Sequence, residues 1–197
     1  MIKLAQLLSF LFNPAMFFFL MPYFIVYRET ASTISAIKWE VFSFTFLFVG
    51  AMLLLLGRWK KIFSDFDLSK REERAKFYLL LWFLAFSYLF GAVFFRGIFF
   101  DLSVISIGII VGVILFTIIN YYVKASIHVA VACAFVITVS VLYGNNGLIA
   151  TIWIVPLISW ARLVLKRHTV LEVTIGGLLG ILITFLTFLI RRYIIIY

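Results

Sequence analysis

Long apolar runs take up most of this 197-residue chain, and only short polar segments separate them. Hydrophobic residues make up 65% of the chain and its mean hydropathy is +1.20, whereas soluble domains are usually about half apolar. A soluble core could not bury so many apolar side chains, so we expect lipid to surround most of them. Because backbone amides in lipid must bond within their own segment, the runs should be helices.

Seven of these runs approach the length of about 20 residues that a helix needs to cross a bilayer. The fifth and sixth are short, Asn145-Asn146-Gly147 between them is typical of a turn, and Pro156 should kink the sixth. The first continues past Pro14 and is predicted to be a retained helix, not a cleaved signal. The sequence therefore predicts an all-α, polytopic transmembrane bundle of six to seven helices in a single domain, 1–197. The predicted helices are 5–27, 39–57, 77–95, 103–123, 129–143, 148–161 and 169–190.

Three short stretches, the first (65–76), second (124–128) and third (162–172) polar segments, contain most groups that could carry chemistry. They follow the second, fourth and sixth predicted helices. In a bundle with seven crossings, all three therefore lie at the same end. This placement predicts a shared site.

Both histidines of the chain lie in the second and third polar segments. His168 and Glu172 are four residues apart, so on a helix the carboxylate can bond one ring nitrogen and fix its tautomer. Lys124, Ser126 and His128 could together hold phosphate oxygens at a helix end. An ordinary basic loop at a membrane edge, without any site, can contain the same residue types. Two histidines beside cations at the same end of the bundle favour a site.

The first polar segment is densely charged. Arg71 and Arg74 are three residues apart, so they share one face of a helix. Asp65 and Asp67 could instead hold a divalent cation. That alternative would suit a metal-dependent prenyl transferase.

The third polar segment resembles the last signature of the type 2 phosphatidic acid phosphatase superfamily, which includes the vanadium haloperoxidases. That signature is Ser-Arg, five residues, His, three residues, Asp, Val and a Gly-x-x-Leu-Gly run. The arginine, histidine and acid fall in register at Arg162, His168 and Glu172, with glutamate in place of aspartate. The further matching positions are Val173, Gly176, Leu179 and Gly180.

The other two signatures of that superfamily match less completely. Pro-Ser-Gly-His is similar to Ala125-Ser126-Ile127-His128, which keeps the serine and the histidine. In the first signature, Lys, six residues, Arg-Pro, the arginine matches Arg74. Asp67 stands where the lysine is expected, so either Lys70 or Lys124 would supply that charge.

The resemblance covers residues 58–182 as a phosphatase-like core and implies an integral membrane phosphatase. Its substrate would be a lipid phosphate or pyrophosphate of the phosphatidate, phosphatidylglycerophosphate or polyprenyl pyrophosphate type. In that family the last histidine forms a phosphohistidine and the middle one protonates the leaving oxygen, with no metal or other cofactor. These roles would fall to His168, oriented by Glu172, and to His128. The substrate-binding residues would be Arg71, Arg74, Lys124, Ser126 and Arg162.

The net charge of +9 favours membrane lipids and phosphorylated lipids as partners, and not nucleic acid. Lys and Arg are more numerous at the end with the polar segments, so the positive-inside rule favours a cytoplasmic site. The expected location is a bacterial or archaeal plasma membrane. Most members of the resembled family, however, place the site outside the cytoplasm. The alternative function is a non-catalytic protein that binds or transports a lipid phosphate, and the oligomeric state is left open.

Overall fold

The computed structural model describes residues 1–65, 70–94 and 100–195, without the side chains of residues 71, 100–105, 194 and 195. Within these ranges the regular elements are helices, which confirms the all-α prediction. The helices are α1 (Ile2–Leu11), α2 (Pro14–Thr30), α3 (Thr33–Trp59), α4 (Arg71–Phe94), α5 (Phe100–Tyr122), α6 (Ile127–Thr151), α7 (Ile154–Val164) and α8 (Val170–Ile195).

Five helical segments in the described ranges are long and apolar enough to cross a membrane, judged by length and composition. They are α1 together with α2, then α3, α4, α6 and α8. In α5, which has 23 residues, the part with described side chains is the apolar stretch Ser106–Tyr122. The 11 residues of α7 reach only about 16 Å at 1.5 Å per residue. These helices support an integral membrane protein.

The first predicted helix, 5–27, is wrong in being continuous, because α1 and α2 are separate helices. Proline lacks an amide hydrogen and disfavours a helical conformation in the residue before it, and α2 begins at Pro14. Asn13 caps α2, since its side chain accepts a hydrogen bond from the Met16 amide at 3.1 Å. The break allows α1 to pack on α7.

The chain bends sharply at Gly144, directly before Asn145-Asn146-Gly147 and within the predicted break between the fifth and sixth helices, while these three residues are themselves helical. Gly144 has φ 64° and ψ −149°, a combination open essentially only to glycine. A Cβ on Gly147 would lie 2.6 Å from the carbonyl oxygen of Val139, so the returning part of α6 lies directly against its outgoing part. Pro156 falls in the first turn of α7, where its missing amide is tolerated, so it follows a break between helices and does not kink one.

The first turn of α4 is polar and that of α3 is partly polar, so both helices begin earlier than the apolar runs predict. Ser32 caps α3 by accepting a hydrogen bond from the Ser35 amide at 3.2 Å. Because α4 begins at Arg71, it includes Arg74. The position of this arginine is therefore set by a helix and not by a loop.

The starts of α6 and α8 are in close contact. A Cβ on Gly176 would lie 2.5 Å from the Ser126 carbonyl oxygen, and one on Gly180 would collide with the Ala130 carbonyl oxygen. Small residues at this four-residue spacing let two helix backbones approach. As a result, the Ser126 amide donates to the Glu172 carbonyl oxygen at 3.0 Å.

Candidate functional site

The three polar segments meet at one end of the bundle. Arg74, in the first turn of α4, donates through Nη1 to the Ala125 carbonyl oxygen at 3.0 Å. Lys124 donates through Nζ to the Arg167 carbonyl oxygen at 3.3 Å. These contacts join the second polar segment to the first and the third. We refer to the side chains gathered here as the arginine–histidine cluster: Arg74, Ser126, His128, Arg162, His168 and Glu172.

The two arginines of the cluster are buried, with exposed fractions of 2% for Arg74 and 1% for Arg162. A buried guanidinium is costly unless its donors are hydrogen-bonded. Arg162 Nη1 donates to the Ser9 hydroxyl at 2.8 Å, so α1 reaches the cluster. Ser9 lies outside the stretch that resembles the phosphatases, and its apolar surroundings in the sequence do not indicate this contact.

His168 and Glu172 are in direct contact, with 3.1 Å between Nδ1 and Oε2. A carboxylate only accepts hydrogen bonds, so Nδ1 carries the hydrogen and Nε2 keeps its lone pair. The Thr169 amide donates to the same Oε2 at 3.0 Å, and the Glu172 amide donates to the Thr169 hydroxyl at 3.3 Å. This reciprocal pair is a capping box, which uses glutamate or glutamine at its last position. The box gives a physical reason for glutamate where the resembled signature has aspartate.

The imidazole of His168 is neutral at pH 7. Its pKa is lowered to about 3, chiefly by burial and then by the charges of Arg162, Arg74, Lys124 and His128. The pKa of Lys124 is lowered as well, first by burial and then by Arg74. These couplings show that the cations and both rings lie within electrostatic reach of one another.

The hydroxyl of Ser126 is fully buried and has no hydrogen-bond partner in the part of the chain that the structure describes. Ser126 is the N-cap of α6, yet its side chain does not bond to an amide of that helix. A buried unsatisfied polar group costs about 1–3 kcal/mol. Helix N-termini favour negative charge, so an anion here would accept the hydrogen bond of this hydroxyl.

The other predicted site residues differ in how far the structure describes them. Asp67 and the side chain of Arg71 lie outside the described residues. Lys70 is exposed and forms an ion pair with Glu73 at 3.8 Å. Of the two lysines expected to replace the missing signature lysine, only Lys124 is therefore shown beside the cluster.

The fold and the cluster define a class of protein, namely a polytopic helical membrane protein with a buried basic site at one end. Among the described residues, no group of three or more His, Cys, Asp or Glu side chains could hold a metal ion. Comparisons with protein-family models, with curated proteins and with solved structures found no match to this chain. The resemblance to the phosphatase superfamily therefore rests on the sequence signatures alone.

Proposed function

We propose that this protein is an integral membrane phosphatase that hydrolyses a lipid phosphate or pyrophosphate through a phosphohistidine intermediate. One observation carries the proposal: two buried arginines, a buried serine hydroxyl at a helix N-terminus and a neutral histidine share one site. Phosphoryl transfer spreads negative charge over the equatorial oxygens, and fixed cations and hydrogen-bond donors stabilise that charge. The site also lies at an end of the bundle, where lipid headgroups are expected.

In the proposed first step, the Nε2 lone pair of His168 attacks phosphorus. The bound phosphate, as its monoanion, would first transfer its acidic hydrogen to His128. The N–P bond forms while the P–O bond to the lipid breaks, and the leaving oxygen takes that proton from His128. Glu172 accepts the Nδ1–H hydrogen bond and stabilises the positive charge that develops on the His168 ring. Water then attacks phosphorus and gives a proton to His128; the new O–P bond forms while the N–P bond breaks, which restores the lone pair of His168 Nε2. Inorganic phosphate is released, so one water is consumed in each cycle.

The remaining residues of the cluster would bind the phosphoryl oxygens. Arg74, Arg162 and Ser126 are the buried donors, and Lys124 lies at the more exposed edge of the site. Arg71 stays a predicted contact from the same helix as Arg74. This arrangement favours an anion with several oxygens over a single carboxylate.

The test is phosphate release from a panel of lipid phosphates by the purified protein in detergent with a chelator present. We expect the wild type to release phosphate and His168→Ala to lose activity by about a thousandfold or more, as removal of a nucleophile does elsewhere. Thr174→Ala, on an exposed position of α8, is the matched control and should keep full activity.

Two results would contradict this mechanism: release that survives His168→Ala, or release that requires magnesium. Binding of a lipid phosphate by the wild type without turnover would favour the alternative of a non-catalytic binding protein. Circular dichroism of each variant checks that the helical bundle is intact.

A further inference from the structure

An apolar groove leads from the arginine–histidine cluster toward the other end of the bundle, and we infer that it holds the single long hydrocarbon tail of a lipid phosphate. The groove has a volume of about 320 Å³ and is lined by α2, α3, α4, α5, α6 and α8. The inference rests on the proposed function, because it specifies the lipid whose phosphate would bind in the cluster.

The groove begins beside the cluster. Tyr78 lines it and lies one helical turn after Arg74 on α4. Ile127, which directly follows Ser126, lines it from α6. A phosphate bound by the cluster would therefore have the mouth of the groove next to it.

Five hydroxyl-bearing side chains that line the groove are hydrogen-bonded within the protein. Thr138, Thr184 and Thr187 each donate to the carbonyl oxygen four residues earlier in their own helix. Ser43 donates to the Trp39 carbonyl oxygen and pairs with the Tyr88 hydroxyl at 2.9 Å. Because these hydroxyls are already hydrogen-bonded, the lining suits an alkyl or isoprenoid chain better than a polar solute.

The length of the groove favours a tail that passes the middle of the bilayer. Along α6 it extends from Ile127 to Leu142, which is about 22 Å at 1.5 Å per residue. One leaflet contributes only about 15 Å, half of the roughly 30 Å hydrocarbon core. At the far end Arg191, which lines the groove, forms an ion pair with Glu29 at 3.5 Å.

A volume of about 320 Å³ holds at most one long hydrocarbon chain. A further cavity, lined by α2 and α3 and including Phe19 and Glu40, shares no residue with the groove. A diacyl lipid would therefore have to leave one chain outside the groove. This difference assigns the site to single-tailed lipid phosphates, of which polyprenyl phosphates are one type.

The test uses photocrosslinking, which reports the position of the tail without requiring turnover. A long single-chain alkyl phosphate and a phosphatidate would each carry a diazirine at the end of the tail and be added to the protein in nanodiscs. We expect the single-chain probe to label residues around Leu142 and Phe188, which line the far part of the groove. The phosphatidate probe should label lipid-facing residues instead.

A variant that blocks the groove sharpens the experiment. Ala134 lines the groove seven residues past Ile127, about 10 Å along α6. Ala134→Phe should abolish labelling of the far end. Ala51→Phe, on an exposed position of α3 that does not line the groove, should leave labelling unchanged. The chain of hexyl phosphate is too short to reach Ala134, so the substitution should not block its binding. If hexyl phosphate competes with the probe for the cluster in Ala134→Phe, the cluster is still folded in that variant.

The outcomes separate the tail site from the reaction. Labelling of the far groove without phosphate release upholds the tail site and rejects hydrolysis. Phosphate release with labelling confined to lipid-facing residues overturns the tail site and leaves hydrolysis standing. Equal labelling of the groove by the phosphatidate probe overturns the single-tail assignment.

Discussion

Arg162 and Ser9 are far apart in the sequence, yet their hydrogen bond fixes a buried guanidinium within the cluster. Its 2.8 Å length is typical of a charge-assisted hydrogen bond. The bond makes α1, a helix outside the phosphatase-like stretch, part of the support for the site. Ser9 is a positioning residue in the proposed reaction, since it would act through Arg162.

Ser9→Ala should weaken phosphate binding more than turnover. Loss of a hydrogen bond to a charged group costs about 1.5–3 kcal/mol, and the cost should appear mainly as a KM raised by tenfold or more. Steady-state phosphate release measures KM and kcat separately. Ser9→Thr keeps the hydroxyl and should restore KM. An equal fall in kcat for both variants would show that Ser9 only supports folding.

The buried neutral ring of His168 should make stability depend on pH. Its pKa is lowered to about 3 in the folded protein, whereas an unperturbed histidine titrates near 6.5. Between these values the unfolded chain binds more protons, so stability falls as the pH drops below about 6.5. Comparison of thermal unfolding at pH 7 and pH 4.5 should show a larger drop for the wild type than for His168→Gln. Equal drops would mean that the ring is already protonated in the folded protein.

Local spacing predicts some contacts of the cluster and misses others. The His168–Glu172 bond follows from residues one helical turn apart, so the sequence predicts it. The contacts of Arg162 with Ser9 and of Arg74 with Ala125 join distant parts of the chain. Such pairings depend on how helices pack, which a single sequence does not specify.

At the scale of elements, the contact between α6 and α8 depends on glycines. Gly180→Ala would place a methyl group against the Ala130 carbonyl oxygen and should force the helices apart. Overpacking of this kind costs about 1–3 kcal/mol, so we expect a lower thermal unfolding midpoint. Gly177→Ala is the matched control, because its Cβ would meet only ordinary contacts, at 3.7 Å from Cys133 Sγ. Equal midpoints for the two variants would contradict the close approach.

The apolar runs predict the presence and order of the helices well, because lipid leaves the backbone little alternative. They do not predict the breaks. The end of α1 follows from local chemistry at Asn13 and Pro14, but a proline alone does not distinguish a kink from a new helix. The bend at Gly144 requires a backbone conformation that is open essentially only to glycine. The stronger turn pattern in the sequence is the next three residues, Asn145-Asn146-Gly147.

At the scale of the whole molecule, the positive-inside rule predicts a cytoplasmic site. Cysteine labelling in intact cells can test this, because Cys133, the single cysteine of the chain, is buried. Lys60→Cys lies at the end of the bundle with the cluster and Thr33→Cys at the other end, and both positions are exposed. An impermeant maleimide should label only Thr33→Cys. The reverse pattern would place the site on the outer side.

Alternation of helices across the membrane accounts for the meeting of the three polar segments at one end. The side chains that complete the cluster are not predicted in the same way, because their depth depends on the close packing of α6 and α8. The groove is less predictable still. Its lining comes from six helices, and no run in the sequence distinguishes residues that face it from residues that face lipid.

The sharp bend at Gly144 also bears on how the chain enters a bilayer during synthesis. With 11 residues, α7 is too short to be recognised as a spanning segment by itself, since about 20 are needed. We expect the insertion machinery to take up both arms of this hairpin as one unit. Biogenesis of the final third of the polypeptide would then depend on a single backbone hinge.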